Sequence, residues 1–323
     1  MTASACVEIA IVGAGVVGLA TALRLAGEGR EVMLIDPNEP GSGASFGNAG
    51  TLAEYACVPV GTPAVLRALP KLLLDPDSPF ALRWPALFQL APWLARFARQ
   101  SLPGATRANA AALAGLLGDA LPAWQDMAAE AGATDLLRRN GCLYLFRQSG
   151  DVAASAPSRQ LRAEFGVHQQ ILDPAAVAAL EPRLPPVSGG GLYFPDSLNV
   201  TDPSMLMRRL FDAASARGVT FQRARVTGLE IDGSGVRLSG PDFGVTSSKA
   251  VIAAGAFSRP LAAQAGDRIP LETERGYHLE FPTDVPLLTR PVCPVDLGFY
   301  MTPMADRLRV AGTVELGGLK APA

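Results

Sequence analysis

The hydrophobic pattern at the start of the chain alternates between unbroken apolar runs and apolar residues at helical spacing. Residues 9–12 form a run without polar residues, as expected of a strand that is buried on both faces of a parallel sheet. Residues 16–26 place Leu19 and Leu23 on one helix face, and residues 31–35 return to a strand pattern. The order strand, helix, strand predicts a parallel α/β unit.

The turn between this first strand and helix carries glycines at a functional spacing. Gly13 allows a tight turn, Gly15 lets the backbone approach a pyrophosphate, and Gly18 lets the helix pack closely on the strand. Asp36 ends the second strand, where a carboxylate can accept hydrogen bonds from a ribose. A glycine-rich turn in an ordinary α/β unit would leave Asp36 unexplained. We therefore predict a dinucleotide site formed by Gly13, Gly15, Val16, Val17, Gly18, Asp36 and Pro37.

Beyond residue 100, helical and strand patterns alternate less regularly. Residues 105–131 are rich in alanine and predict helices that Gly118 and Pro122 interrupt. Residues 220–232 predict one strand, and residues 249–255 predict a short buried strand that ends in small residues. The chain therefore combines strands and helices throughout, as an α/β protein does.

Composition narrows the class of function. The 323 residues are 49% hydrophobic, which is enough for two domains with a large core. The net charge of −2 and the scattered basic residues give no case for nucleic acid as a partner. The four cysteines form no CxxC pair and the chain has only two histidines, so we predict no metal site. Reduced thiols and the absence of a recognisable signal peptide predict a cytoplasmic protein.

An aromatic and proline-rich stretch at residues 55–102 has two interpretations. Trp93 and Phe97 are four residues apart on one predicted helix, with Arg96 and Arg99 on its other side. Packing between helices explains this pattern most simply. The alternative is a face that meets a membrane surface or a quinone.

The loop after Asp36 consists mainly of small residues, which allow a backbone to lie against a flat ligand and donate N–H groups. It reads S-x-A-S-x-x-N-A-G between Ser42 and Gly50. Together with the glycine motif and the acid after the second strand, it resembles the FAD-dependent oxidoreductases of the D-amino acid oxidase type. Within them it is similar to the bacterial D-amino acid dehydrogenase and hydroxyproline dehydrogenase branch. The resemblance implies FAD as the cofactor, with further contacts from Ser42, Ala44, Ser45, Asn48, Ala49, Gly50, Val226, Ala254 and Gly255.

The same resemblance implies the domain organisation. We expect a Rossmann-type FAD-binding domain, interleaved with an α+β substrate domain built on a mostly antiparallel sheet. Residues 1–85 and 198–265 would form the FAD-binding domain, and residues 86–197 and 266–323 the substrate domain. The β-rich segments 269–281 and 297–314 would belong to the sheet that covers the flavin on its substrate side. Its polar aromatic residues Tyr277, His278 and Tyr300 are the candidate catalytic residues.

The implied reaction is the oxidation of a C–N bond in a D-amino acid or a cyclic imino acid, by hydride transfer to flavin N5. The sequence contains no arrangement typical of a Ser/His/Asp or Cys/His enzyme, which agrees with chemistry carried by a cofactor. The electron acceptor stays open between a quinone of the respiratory chain and oxygen. Peripheral contact with the inner face of the cytoplasmic membrane also stays open.

Two alternatives remain at this point. One is a nicotinamide-dependent dehydrogenase with the same nucleotide unit, against which the loop at residues 42–50 argues. The other is a non-catalytic fragment or accessory subunit, because members of the resembling family continue past the segment G-T-V-E with more of the substrate domain. On that view the chain alone should be poorly soluble and should hold FAD weakly, since apolar surface would be left exposed.

Overall fold

A computed structural model describes residues 5–74, 78, 80–233 and 235–319. The expectations about the end of the chain concern residues 320–323, which lie outside the described residues. The strands are β1 Ala5–Val12, β2 Val32–Asp36, β3 Thr51–Leu52, β4 Phe80–Leu82, β5 Leu137–Arg138, β6 Cys142–Phe146, β7 Gln170–Leu172, β8 Gly190–Phe194, β9 Leu198–Val200, β10 Thr220–Arg223, β11 Gly228–Asp232, β12 Gly235–Gly240, β13 Phe243–Ile252, β14 Glu274–Pro282, β15 Val292–Pro294, β16 Phe299–Pro303 and β17 Arg307–Leu316. The helices are α1 Val16–Gly27, α2 Pro63–Leu74, α3 Leu87–Gln100, α4 Pro103–Leu117, α5 Ala120–Glu130, α6 Asp151–Ala154, α7 Ala156–Glu164, α8 Pro174–Leu180, α9 Pro203–Ala216 and α10 Ser258–Gln264.

The chain divides into two compact units, each built from separate segments. The first unit is drawn from Met1–Gly47, Met127–Thr134 and Pro203–Thr273. The second is drawn from Asn48–Asp126, Asp135–Asp202 and Glu274–Ala323. Both units are discontinuous, and residues 48–85 group with the second one. The expected bounds of the FAD-binding and substrate domains stay predictions.

The first unit contains a sheet in the order β10-β2-β1-β13-β12-β11. Strands β10, β2, β1 and β13 run parallel, and β12 and β11 continue from β13 as an antiparallel meander. Ile11 and Leu34, at the centre of the parallel part, are fully buried. This explains the unbroken apolar runs in the sequence, because a parallel strand is covered on both faces.

The second unit contains a larger sheet in the order β14-β17-β16-β15-β6-β8-β7, with β4 paired to β17. Most of its pairs are antiparallel, and the pairs β15 with β6 and β17 with β4 are parallel. A separate short sheet has the order β3-β9-β5. The predicted fold class, a Rossmann-type unit with a mostly antiparallel substrate sheet, is confirmed.

One local prediction was wrong, and the predicted break of the alanine-rich stretch into two helices is confirmed. Residues 220–232 form two strands, because β10 pairs with β2 at one edge of the sheet while β11 pairs with β12 at the other. Gly118 does end α4, but Pro122 lies within the first turn of α5. Proline is tolerated there, since the first N–H groups of a helix have no partner within the helix.

The aromatic stretch forms α3 as predicted. The rings of Trp93 and Phe97 stack with centroids 5.3 Å apart, and Phe97 lies against Gly61. Packing therefore accounts for this pair. Among the described residues, no helix is both long enough and apolar enough to cross a membrane.

Candidate functional site

The glycine turn after β1 leaves no room for side chains. Gly13 has a φ of 111°, and a Cβ there would lie 2.3 Å from the carbonyl oxygen of Ala253. A Cβ on Gly18 would lie 1.9 Å from the carbonyl oxygen of Gly13. Helix α1 can therefore start directly against the strand only because both positions are glycine.

The N-terminus of α1 has no cap from its own N-cap side chain, and hydrogen bonds hold the loop of small residues beside it. Gly15 is the N-cap and offers no side chain to the first N–H groups, and the first turn contains no acidic residue. The N–H of Val16 donates to Ser45 Oγ at 2.9 Å, and the N–H of Gly41 donates to the carbonyl oxygen of Ala14 at 2.8 Å. The loop of small residues is thus held against the start of the helix, while the dipole end suits an anion.

Asp36 lies at the end of β2 beside the glycine turn. Its Oδ2 accepts a hydrogen bond from the N–H of Ala14 at 2.9 Å, and its Oδ1 accepts one from the N–H of Asn38 at 2.9 Å. Each carboxylate oxygen can accept more than one hydrogen bond, so both can still receive ribose hydroxyls. The carboxylate is therefore oriented by the backbone before any ligand arrives.

The remaining residues predicted for the nucleotide end lie around this turn in the first unit. The N–H of Ala224 donates to the carbonyl oxygen of Asp36 at 3.1 Å, which brings the segment of Val226 to the end of β2. The N–H of Ala253 donates to the carbonyl oxygen of Val12 at 2.8 Å. Ala254 and Gly255 follow directly. Ser42 and Ala44 are exposed parts of the loop, and the exposed Val17 side chain turns away from the core.

These features fit FAD. Gly13 and Gly18 pack backbone against backbone, which makes the tight turn of a dinucleotide site, and a Cβ on Gly15 would meet only Ser45 Oγ at 3.3 Å, so the backbone there stays accessible to a pyrophosphate. A helix N-terminus whose N-cap residue has no side chain, and a carboxylate at the end of the neighbouring strand, complete the donor and acceptor set for a dinucleotide.

In the second unit, residues 48–50 form a tightly held turn. Asn48 Oδ1 accepts from the N–H of Gly50 at 2.7 Å, and the carbonyl oxygen of Gly50 accepts from the N–H of Val200 at 2.7 Å. The carbonyl oxygen of Asn48 accepts from Arg309 Nη1 at 2.8 Å. Asn48, Ala49 and Gly50 are therefore fixed through their backbone, which sequence reasoning did not foresee.

Arg309 is a fully buried arginine on β17. Its Nε and Nη2 donate to Glu280 Oε1 at 2.9 and 2.6 Å. Burial acts to raise the pKa of Glu280, but hydrogen bonds from Arg309 and Arg307 outweigh it and hold that pKa below its ordinary value. The buried positive charge is thus neutralised by a carboxylate, as buried charges require.

The three candidate catalytic residues do not share one face of the sheet. His278 on β14 lies opposite Ala311 on β17, and Ala311 lies opposite Tyr300 on β16. Directly opposite residues share a face, so His278 and Tyr300 are on the same side. Tyr277 lies opposite Gly312, in the next row, and therefore on the other face, where it is 46% exposed.

Tyr300 belongs to a chain of hydroxyl groups that the sequence did not reveal. Its OH lies 3.3 Å from the OH of Tyr55 and 3.0 Å from the OH of Tyr144, and Tyr55 OH donates to Cys142 Sγ at 3.1 Å. Because each hydroxyl has one proton, the donors run in one order, Tyr144 to Tyr300 to Tyr55 to Cys142.

These hydroxyls stay protonated at neutral pH. Burial raises the pKa of Tyr144 to about 12, and it also raises the pKa values of Tyr55 and Tyr300. The buried Arg162 fixes the cluster, since its Nε donates to the carbonyl oxygen of Tyr55 at 3.1 Å. Its guanidinium also lies 5.6 Å from the ring centroid of Tyr144. The cluster can accept or donate hydrogen bonds, but it cannot act as a base.

Glu54 carries a carboxyl group whose pKa is raised towards neutrality. Its Oε2 is buried without a hydrogen-bond partner among the described residues. Removal from water raises the pKa of the carboxyl to about 7, and the charge of Asp196 adds to this, while hydrogen bonds from the backbone of Glu54 and from Ser197 act in the opposite direction. In the described ranges, no group of three histidine, cysteine or acidic side chains is arranged to hold a metal ion.

Comparison with known proteins assigns the class. A family model described as FAD dependent oxidoreductase (DAO) matches residues 8–322. A D-amino-acid oxidase of Bradyrhizobium diazoefficiens is 37% identical, with 97% of this chain and 75% of the relative covered. A D-amino acid dehydrogenase of Methylobacterium nodulans is 31% identical, with 96% of this chain and 76% of the relative covered. The chain belongs to the DAO family of FAD-dependent oxidoreductases.

Solved structures agree on the fold. Glycine oxidase from Geobacillus kaustophilus superposes with a TM-score of 0.71 at 23% identity, covering 99% of this chain and 74% of that protein. L-Proline dehydrogenase from P. horikoshii superposes with a TM-score of 0.68 at 18% identity, covering 99% of this chain and 74% of that protein. The predictions of family, fold class, FAD and oxidoreductase activity are confirmed. The assignments of individual site residues stay predictions.

Proposed function

We propose that this flavoprotein oxidises the C–N bond of a D-amino acid or of a cyclic imino acid. The observation that carries the proposal is the buried hydroxyl chain on the substrate-domain sheet of a chain whose family binds FAD. The names of the two relatives above support an amino-acid substrate. Bound FAD would supply the hydride acceptor for the substrate carbon, at its N5. The resulting imine is hydrolysed by water unless it is cyclic.

The residues of the chain would bind and orient the reactants. In the donor order above, Tyr300 OH accepts from Tyr144 and donates to Tyr55, so it retains one acceptor position for a substrate N–H. His278 lies on the same face of the sheet and can contribute a second polar contact. Tyr277 lies on the opposite face, so we assign it no role at the substrate.

Two sets of residues are proposed to contact the cofactor. In the first unit, the backbone at Gly13, Gly15 and Gly18 would bind the pyrophosphate, and Asp36 the ribose. In the second unit, residues 48–50 would contact the cofactor through a backbone that Arg309 holds in place.

The electron acceptor is proposed to be a membrane quinone rather than oxygen. Trp84 and Phe88 are 63% and 91% exposed at the start of α3, and Arg96 and Arg99 are exposed further along that helix. Apolar and basic side chains together suit the surface of an anionic membrane.

Co-sedimentation with anionic vesicles should be lost in Phe88→Ser and kept in Ala91→Ser. Equal binding by both variants, or hydrogen peroxide as the main product in air, would contradict this assignment.

The substrate is tested by anaerobic titration of the flavin-loaded protein. Loss of the oxidised flavin absorbance with D-alanine, D-proline or hydroxyproline, but not with their mirror-image forms, is expected. An artificial electron acceptor should then support turnover. A protein that binds FAD but is reduced by none of these amino acids would be a non-catalytic member of the family.

A further inference from the structure

The short sheet β3-β9-β5 has one apolar and one polar face. Leu52 lies opposite Leu198, which is 2% exposed. In the next row, Thr51 lies opposite Asn199, and Asn199 lies opposite Arg138. Directly opposite side chains share a face, so Thr51 and Asn199 are neighbours on the polar side, with about 5 Å between their Cβ atoms.

Two side-chain oxygen atoms on the polar face are buried but not satisfied, although Arg138 on the same face is exposed. Thr51 Oγ1 and Asn199 Oδ1 are both buried atoms without a hydrogen-bond partner in the described part of the chain. Asn199 as a whole is only 2% exposed. Buried polar atoms are nearly always paired in native proteins, so two neighbouring exceptions indicate a missing partner. Ser197, two residues before Asn199, shows the contrast, because its Oγ donates to the carbonyl oxygen of Leu52 at 3.0 Å.

The position of the pair limits what that partner can be. Thr51 directly follows the turn at residues 48–50, whose backbone is fixed by Arg309 and Val200. Asn199 Oδ1 requires a donor, and the Thr51 hydroxyl can either donate or accept. A single planar edge that places an N–H beside a carbonyl oxygen satisfies both side chains. An imide has such an edge, and the flavin ring contains one.

We propose that Thr51 and Asn199 bind the imide edge of the flavin, with Asn199 Oδ1 accepting from the flavin N3–H and Thr51 Oγ1 donating to a flanking carbonyl oxygen. The inference depends on FAD binding, which the family establishes, and not on the proposed substrate.

The first test uses two nearly isosteric variants, Thr51→Val and Asn199→Leu, with Ser197→Ala as the matched control. Removing an unpaired polar atom should raise the urea midpoint of the flavin-free protein or leave it unchanged, while the Kd for FAD, measured by flavin fluorescence, should rise at least tenfold. Ser197→Ala breaks an existing hydrogen bond, so it should lower the urea midpoint and leave the Kd for FAD within twofold.

The second test needs no variant to fold, because it changes the ligand. Methylation of flavin N3 removes the donor, so the wild-type protein should bind N3-methyl FAD at least tenfold more weakly than FAD. Asn199→Leu should bind the two ligands equally.

Three results would overturn the proposal. Wild-type protein that does not distinguish the two flavins would do so. A fall in the urea midpoint of the flavin-free variants, with the Kd for FAD unchanged, would identify structural groups paired by water. Weakened binding of an amino acid to the loaded protein, with the Kd for FAD unchanged, would assign the pair to the substrate.

Discussion

Replacing Glu54 by glutamine should stabilise the protein at alkaline pH. The ordinary pKa of this carboxyl is 4.5, and burial raises it to about 7 in the folded protein. Between these values the folded state holds a proton that the unfolded state has released. The free energy of unfolding therefore falls as pH rises from 4.5 to 7. Above pH 7 the carboxyl is ionised in both states, and the full loss of stability from its burial is present.

The magnitude follows from the same two values. The difference between 4.5 and about 7 corresponds to about 3.4 kcal/mol at about 1.36 kcal/mol per pH unit. Glu54 is only partly buried, so solvent screening reduces this to about 1–2 kcal/mol. Glutamine keeps the shape and the hydrogen-bonding capacity without the charge.

Urea unfolding of Glu54→Gln and wild type at pH 5 and pH 8 measures the effect. The variant should gain about 1–2 kcal/mol at pH 8 and close to nothing at pH 5. Glu230→Gln, at an exposed position of β11, is the matched control and should change neither value. An equal effect of Glu54→Gln at both pH values, or a loss at pH 8, would show that the carboxyl is not held neutral by burial.

Three further outcomes are expected. Gly18→Ala should lower the urea midpoint of the flavin-free protein, because its Cβ would lie 1.9 Å from a backbone oxygen. Gly15→Ala meets only Ser45 Oγ at 3.3 Å, so it should leave the urea midpoint nearly unchanged but raise the Kd for FAD, because its Cβ occupies space that the pyrophosphate needs; urea unfolding and fluorescence titration separate the two. Tyr300→Phe should lower kcat/KM by more than threefold, about 0.7 kcal/mol, and Tyr277→Phe by less, in steady-state assays. Arg309→Met should cost about 1–3 kcal/mol in urea unfolding, because the carbonyl oxygen of Asn48 loses its buried donor while Glu280 keeps its ion pair with Arg307. Equal effects of the two glycine variants, or of the two tyrosine variants, would contradict the roles assigned to those residues. An unchanged free energy of unfolding in Arg309→Met would contradict the role assigned to Arg309.

The nucleotide end of the site could be predicted because its determinants are local in sequence. Gly13, Gly18 and Asp36 lie within one strand–helix–strand unit, and each has a backbone reason for its identity. The spacing of these residues along the chain is therefore enough to predict the geometry of the turn. The Ser42–Gly50 loop was recognised by its small residues, but the Val16–Ser45 hydrogen bond that fixes it had no sequence signal.

The substrate end could not be predicted because it is assembled by strand register. Arg309 and Asn48 are 261 positions apart, and Tyr55 and Tyr300 are 245 apart. Alternation along β14 does separate Tyr277 from His278, since neighbouring residues of a strand point to opposite faces. Both residues were predicted for the site because both are polar aromatic side chains, and residue type does not show which face of a strand a side chain occupies.

The proton chemistry of the second unit follows from burial rather than from residue type. A sequence containing tyrosine, histidine and cysteine offers several apparent bases. Burial raises the pKa values of Tyr55, Tyr300 and Cys142, so none of these groups can take a proton from an ammonium ion near neutral pH. The pKa of Glu54, outside this hydroxyl cluster, is raised only to about 7 by the same cause. In the proposed function, an amine substrate that meets only the hydroxyls and the thiol therefore arrives neutral and donates a hydrogen bond to Tyr300.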